Sequence, residues 1–429
     1  MKIAVLGGGS SYTPELVDGL LRRQIPVDEV WLVDVPEGRH KVDTIASLAR
    51  RMAERFGRQV RFPVTEDRRA ALDGASFVLS QLRVGGLEMR AQDERIPLRH
   101  GLLGQETTGA GGFANALRTI PVALRVAEET AMIAPKAWIL NFTNPAGLVT
   151  QAICSAGHRQ VVGLCNIARI TERRVALRAQ LPEESVHIEA AGLNHLTGSW
   201  MRVAGQDVTP LALASGAPEA ELRQVAPEFE PPSGFFAGLD FFPNPYLNYF
   251  FFPGPTLRHA EVSAASPEGT RAQRVQVIEA QLFRRYADSS LAEMPPELAQ
   301  RGGAYYSDVA VDAMAALLGI QPATLVLNLP NGGALREFAD DDVVERNAEV
   351  SQSGIRPVPR QAPLPRLLRG IALAVKEYER LCVEAAVHGS RRKALEALMC
   401  HPLIGAADVA AGLLDDLAAA NRGYWPELR

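Results

Sequence analysis

Over the first 170 residues, short apolar runs alternate with longer stretches of helical period. KIAVL (2–6) closes on three glycines at 7–9, as a buried parallel strand does when it feeds a tight turn. Pro14, with Leu16, Leu20 and Leu21 at helical spacing, predicts a helix over 14–23. EVWLVDV (29–35) reads as a second strand ending at Asp34, followed by a charged helix over 38–56 and a short strand near 59–64. FVLSQL (77–82), AWILNFTNP (137–145) and VVGLCN (161–166) supply three more strands, with a helix around 116–132. Strands alternating with helices predict an α/β fold, here a Rossmann-type doubly wound parallel sheet domain over residues 1–170. The pattern then changes. Residues 186–203 read as antiparallel strands and 204–232 as a surface excursion rich in Ala, Pro, Glu and Gly. Helical patterns cover 268–286, 305–319, 364–388 and 404–420. Residues 171–429 are therefore expected to form a C-terminal α+β, largely helical domain.

Composition narrows the class. The 429 residues are 47% hydrophobic and 22% charged, with a net charge of −4 and a mean hydropathy of −0.02, values of a globular chain. Balanced charge argues against a protein built to hold nucleic acid. No apolar run is long enough to span a membrane, and the apolar start is too short for a signal peptide. Cys154, Cys165, Cys382 and Cys400 form no CxxC pair, so reduced thiols and a cytoplasmic location are expected.

Several segments carry candidate chemistry. GGGSSY (7–12) joins strand to helix, where glycines admit a pyrophosphate and the helix N-terminus favours its charge. Gly7 and Gly9 fit the G-x-G-x-x-G pattern, whereas Tyr12 stands where the third glycine belongs. A turn without ligand is the alternative. Asp34, at the end of the second strand, is placed to bind a ribose diol and points to NAD rather than NADP. NFTNP (141–145) ends another strand, so Asn141 and Asn144 are either ligand contacts or turn formers. Cys165-Asn166 and Asn194-His195 offer one thiol and one imidazole, either packed structural groups or ligands for a divalent transition metal. The block 83–112, dense in Arg, acids and Gly, is expected to form a ligand-touching lid or loop, with Arg90, Arg95 and Arg99 able to meet phosphate. The aromatic cluster 241–254 is core, interface, or the home of a tyrosine base whose pKa a cation lowers from about 10.

Together, MKIAVLGGGSSYTPELVDGLL, the block RVGGLEMRAQDERIPLRHGLLGQETTGAGGFANALRTIPV, NFTNPAGLVT, GLCNIA, GLNHLT and PYLNYFFFPG resemble glycoside hydrolase family 4, the NAD- and metal-dependent glycosidases, which depart from two-carboxylate hydrolysis. The resemblance implies oxidation at C3 of the sugar by bound NAD+, removal of the C2 proton, elimination at C1, water addition and re-reduction. By the same resemblance Cys165 and His195 match the metal ligands, usually for Mn2+. Tyr246 matches the C2 base, with Tyr249 as the fallback. Gly7, Gly9, Ser10 and Asp34 match NAD-binding positions, and Asn144, Asn166, Arg90 and Arg271 match substrate contacts. Cys-Asn at 165–166 resembles the members acting on 6-phospho-β-glucosides, although Ala168 stands where those members usually carry Pro. The implied substrate is a phosphorylated disaccharide or β-glucoside, and the implied assembly a homodimer or homotetramer. Rival readings are a family 4 enzyme for an unphosphorylated or galacto glycoside, an NAD-dependent 2-hydroxy-acid dehydrogenase, and a non-catalytic NAD sensor.

Overall fold

A computed structural model describes residues 1–182, 184–301, 305–360 and 363–429. A 13-stranded sheet runs through them. Its strands are β1 (Lys2–Leu6), β2 (Glu29–Val33), β3 (Val64–Thr65), β4 (Ala75–Ser80), β5 (Trp138–Asn141), β6 (Val161–Leu164), β7 (Val186–Leu193), β8 (Leu196–Val203), β9 (Gln206–Asp207), β10 (Phe242–Pro243), β11 (Ala323–Pro330), β12 (Val343–Ser351) and β13 (Gly354–Pro357). The order is β10-β8-β7-β12-β11-β6-β5-β4-β1-β2-β3, with β13 on β12 and β9 on β8. From β6 to β3 every pairing is parallel. The chain runs outward from β1 through β2 to β3 on one side and from β4 through β5 to β6 on the other. That reversal creates a topological switch point, beyond whose carboxyl ends ligands bind in such sheets.

Alternation along β1 explains how the sheet is covered. Ile3 and Val5 join one apolar core, Ala4 and Leu6 the opposite one, because successive side chains leave opposite faces. The first of these cores also takes Leu282 and Tyr286 of the helix Arg271–Ala287 and Val309 to Met314 of the helix Tyr306–Leu317. Residue 170 lies inside the helix Ile167–Arg178, and the antiparallel part joins the parallel part directly, through Leu327 opposite Leu164 and Asn328 opposite Gly163.

Two further differences have physical causes. The 83–112 segment is not all loop: Gly86–Arg99 is a helix. Arg90, Asp93 and Glu94 turn inward, Arg90 pairing with Glu94 one turn on and Asp93 with the buried Arg118. Strands β11 and β12 lie in a region where the sequence reading expected no strand. Glu345, Arg346 and Asn347 interrupt the apolar run of β12, yet Glu345 and Arg346 are buried. The strands expected over 186–203 are a hairpin, with Leu193 opposite Leu196 and Asn194-His195 as its turn. His195 takes φ 62° there, a conformation that His enters more readily than most side chains. No helix of the described residues is long and apolar enough to cross a membrane.

Candidate active site

A cleft of about 2140 Å³ opens at the carboxyl ends of β1, β2, β4, β5 and β6. A single small ligand fills roughly 300–1,000 Å³, so there is room for a dinucleotide and a sugar together. Gly7, Gly9, Ser10, Asp34, Arg90, Asn144, Cys165, Asn166, His195, Tyr246, Tyr249 and Arg271 all line it. Arg95 and Arg99 do not: Arg95 donates to Gln273, and Arg99 points outward near Asp416. Asn141 is fully buried beneath the wall, its amide spent on the local turn and on Thr150.

At one end, β1 delivers the chain into the glycine loop and the helix Thr13–Arg22 follows. Gly7 has φ +81°, and a Cβ on it would stand 2.7 Å from the Gln81 carbonyl oxygen. A Cβ on Gly9 would stand 2.6 Å from Asp34 Oδ2, the oxygen that accepts the Gly9 N–H at 2.7 Å. Asp34 Oδ1 accepts from Val35 N–H. Each carboxylate oxygen keeps a lone pair for a ribose hydroxyl. The bare loop and the acid at the end of β2 thus fit a dinucleotide. Ser10 Oγ accepts the Tyr12 N–H, and the Tyr12 ring lies beside the Arg301 guanidinium, 5.1 Å away.

In the middle, three groups of different chemistry converge. Cys165 follows β6, and its sulfur meets the Ile167 backbone N–H and the Asn194 amide. Burial pushes its thiol up, and Glu345 adds to that. Burial pulls His195 down to about 4 despite Glu106. The Tyr246 ring stacks on the His195 imidazole, centroids 3.9 Å apart and planes 13° from parallel. Asn244 fixes this placement by accepting the Tyr246 N–H at 3.1 Å while donating to Thr197. Tyr249 meets the Tyr246 ring edge-on at 5.8 Å. The Tyr246 phenol is pushed up by burial, then by Tyr249, Glu106 and Cys165. Burial thus disfavours the charged form of thiol, imidazole and phenol alike, and a bound dication would favour thiolate and phenolate. Among the described residues no cluster of three or more His, Cys, Asp or Glu is placed to hold a metal. A thiolate and an imidazole alone suit a metal that keeps positions for water or substrate oxygens.

Behind Cys165 lies an acid that the sequence reading passed over. Glu345 Oε1 accepts from Asn194 Nδ2 at 2.9 Å and Asn328 Nδ2 at 3.1 Å. Burial raises its carboxyl to about 7 against those hydrogen bonds. A buried acid inside an apolar strand was the available signal. Glu106, also passed over, pairs with Arg83 at 2.6 Å and Arg90 at 3.0 Å. Burial pushes its carboxyl up, but the arginines outweigh that and hold it at about 2. Arg90 is thus committed to Glu94 and Glu106 and lines the cleft as a charge already partnered.

The far wall carries excess positive charge. Arg271 opens the helix Arg271–Ala287, capped by Thr270, and donates to the Arg301 carbonyl at 2.9 Å. Arg274 is one turn further on. Buried Nε atoms of Arg274 and Arg301 have no hydrogen-bond partner among the described residues, and the nearest carboxylate to Arg301, on Glu279, is 4.0 Å away. Burial, Arg90, Arg301 and Arg274 all pull the Arg271 guanidinium down. Guanidiniums with unspent donors beside a helix N-terminus suit an anion.

A family model described as family 4 glycosyl hydrolase matches residues 2–181, and a model of that family's C-terminal domain matches 190–404. The chain belongs to glycosyl hydrolase family 4. This family 4 chain is 41% identical over 435 residues to a probable 6-phospho-beta-glucosidase of Bacillus subtilis, covering 100% of the chain and 98% of the relative. It is 37% identical to a 6-phospho-beta-glucosidase of Escherichia coli, covering 99% and 96%. A solved 6-phospho-beta glucosidase from Thermotoga maritima, with manganese, NAD+ and glucose-6-phosphate, superposes with a TM-score of 0.87 at 32% identity, covering 100% of each chain. Family 4 membership sets aside the dehydrogenase reading.

Proposed function

We propose that this chain hydrolyses 6-phospho-β-glucosides with NAD+ and a divalent metal, foremost Mn2+, acting in the cytoplasm as a homodimer or homotetramer. The observation that carries the reading is the stack of Tyr246 on His195, beside Cys165, in the one cleft that also holds the Asp34 glycine loop and the Arg271 wall. The relatives named above act on or hold 6-phosphorylated sugars, and the unspent guanidinium donors suit such a phosphate.

When bound, NAD+ supplies a reversible hydride acceptor for C3 and the metal polarises the neighbouring sugar oxygens. The protein groups have the following parts. Gly7, Gly9 and Ser10 admit the pyrophosphate, and Asp34 accepts from the ribose hydroxyls. Cys165 and His195 hold the metal. Tyr246, as phenolate, takes the C2 proton, and the C1 substituent departs with its bonding electrons. Tyr249 packs against the base and is its fallback. Asn144 and Asn166 orient sugar hydroxyls. Arg271, with Arg274 and Arg301, binds the 6-phosphate through charge-assisted hydrogen bonds. Arg90, fixed by two carboxylates, presents its remaining N–H to the sugar side.

The test is p-nitrophenol release from the 6-phospho-β-glucoside, its unphosphorylated form and its α-anomer, each with and without NAD+ and Mn2+. Turnover of the phosphorylated β-substrate alone, requiring both additions, is expected. Turnover only of an unphosphorylated or α-linked substrate would overturn the substrate assignment, and turnover indifferent to NAD+ the mechanism.

A further inference from the structure

The segment 105–108 leads into the helix Gly109–Ile133, and its hydrogen bonds can be accounted for proton by proton. The Gln105 side-chain carbonyl oxygen accepts the Thr107 N–H at 2.6 Å, the Thr108 N–H at 2.9 Å and the Thr107 hydroxyl at 2.8 Å. The Thr107 hydroxyl has one proton, and a carbonyl oxygen only accepts. The carbonyl oxygen cannot donate back, so the 2.8 Å contact is a hydrogen bond only with that proton on Gln105. Thr107 Oγ1 also lies 3.0 Å from His195 Nδ1. With its proton spent, Oγ1 acts there as an acceptor, so Nδ1 carries the hydrogen. A neutral imidazole protonated on Nδ1 presents its lone pair on Nε2.

The segment is also held against drift. A Cβ on Gly111 would stand 2.3 Å from the Gln105 carbonyl oxygen, and one on Gly112 would stand 2.6 Å from the Thr107 carbonyl carbon. The loop backbone thus lies directly on the bare first turn of the helix. Tyr246 covers one face of the imidazole, which leaves the ring little rotational freedom.

We propose that Gln105 and Thr107 are positioning residues that fix His195 in the Nδ1–H tautomer and so aim the Nε2 lone pair at the metal. The inference rests on the reading of His195 as a metal ligand. Neither Gln105 nor Thr107 touches the ion; they act through the ring, as carboxylate or carbonyl partners do at other histidine-ligated metals.

The experiment uses the full-length protein and two readouts. The first is long-range ¹⁵N–¹H correlation of histidine-labelled, metal-free protein, which reads the tautomer directly. Wild type is expected to carry the His195 proton on Nδ1. Gln105→Leu removes the acceptor of the Thr107 hydroxyl along with that of the Thr107 and Thr108 N–H groups, and in protein that keeps its fold the freed hydroxyl should donate to Nδ1 and move the imidazole proton to Nε2. The second is Mn2+ titration by electron paramagnetic resonance with NAD+ present. Thr107→Val should weaken Mn2+ roughly 10–100-fold, and Thr107→Ser, which keeps the acceptor, should restore it. A wild-type Nε2–H tautomer, or unchanged Mn2+ affinity in correctly folded Thr107→Val, would overturn the proposal. If Cys165→Ser binds Mn2+ as wild type does, the metal-site reading fails instead, and the tautomer measurement still decides whether the lock exists.

Discussion

Replacing Tyr246 by Phe removes one oxygen and nothing else from the centre of the cleft. The ring keeps its stack on His195 at 3.9 Å and its edge contact with Tyr249 at 5.8 Å. The backbone hydrogen bond to Asn244 is untouched. The loss in folding stability is therefore expected to stay below about 1 kcal/mol, the net worth of an ordinary hydrogen bond. Catalysis should respond on a different scale. A positioned general base contributes roughly 10²–10⁴ in rate, which is about 3–5 kcal/mol of barrier at about 1.4 kcal/mol per decade. NAD+ affinity should be unchanged, because the ribose partner Asp34 and the glycine loop belong to other strand ends. The assay is p-nitrophenol release at saturating NAD+ and Mn2+, set beside NAD+ binding by fluorescence and a thermal melt. Substrate deuterated at C2 should be turned over more slowly by wild type. Tyr249→Phe serves as the comparison and should lose far less. A Tyr246→Phe rate close to wild type would refute the base assignment. An equal loss in both tyrosine variants would refute the choice between them, and a collapse of the melt would reveal the hydroxyl as structural.

Three further outcomes are expected. Arg271→Met should raise KM for the phosphorylated substrate by roughly 10–100-fold, one charge-assisted contact of about 1.5–3 kcal/mol, with little change on the unphosphorylated glucoside; equal effects on both would remove Arg271 from the phosphate site. Asp34→Ser should weaken NAD+ and narrow its advantage over NADP+ in direct binding, and an unchanged ratio would show that the carboxylate only braces Gly9. Glu106, held at about 2 by its arginines against an ordinary 4.5, binds protons more readily unfolded than folded. It contributes stability above about pH 4.5 that is lost as pH falls toward 2, in total about 3 kcal/mol at about 1.4 kcal/mol per pKa unit. Urea melts between pH 6 and 3 should show Glu106→Gln less acid-sensitive than wild type, with parallel curves counting against it.

The parallel half of the sheet was legible because buried strands and their covering helices leave two different periods in the chain. Five of the six runs lie on strands of that half, displaced by a few residues where an end such as Gln81-Leu82 or Phe142-Thr143 extends the run past the last pairing, whereas the run near 59–64 meets β3 only at Val64. The antiparallel half was less legible because its central strand buries polar groups as well as apolar ones. In β12, Glu345 faces Asn194 and Asn328 rather than an apolar layer, so the composition that marks a strand is broken where an acid lies buried behind Cys165. The helix Gly86–Arg99 was hidden for the same reason. Three of its charged residues are spent inside the protein, Asp93 on Arg118 and Arg90 on Glu94, and a pattern of charges reads as solvent exposure until those partners are known.

The site divides along the same line. Asp34, Cys165 and His195, which line the cleft, were readable because each carries a distinct chemistry at the end of a strand or in a hairpin turn. The remaining groups in and around the cleft carry no such mark. Gln105 and Thr107 are ordinary polar residues in a loop, Glu106 one acid among many, and Arg274 and Arg301 two arginines in an arginine-rich chain. What distinguishes them is a count of donors and acceptors that exists only in three dimensions. The single Thr107 proton is committed, and the Arg274 and Arg301 Nε atoms are not. The first observation assigns a tautomer, the second an anion. Sequence fixes which atoms can donate, and only the fold decides which of them have already done so.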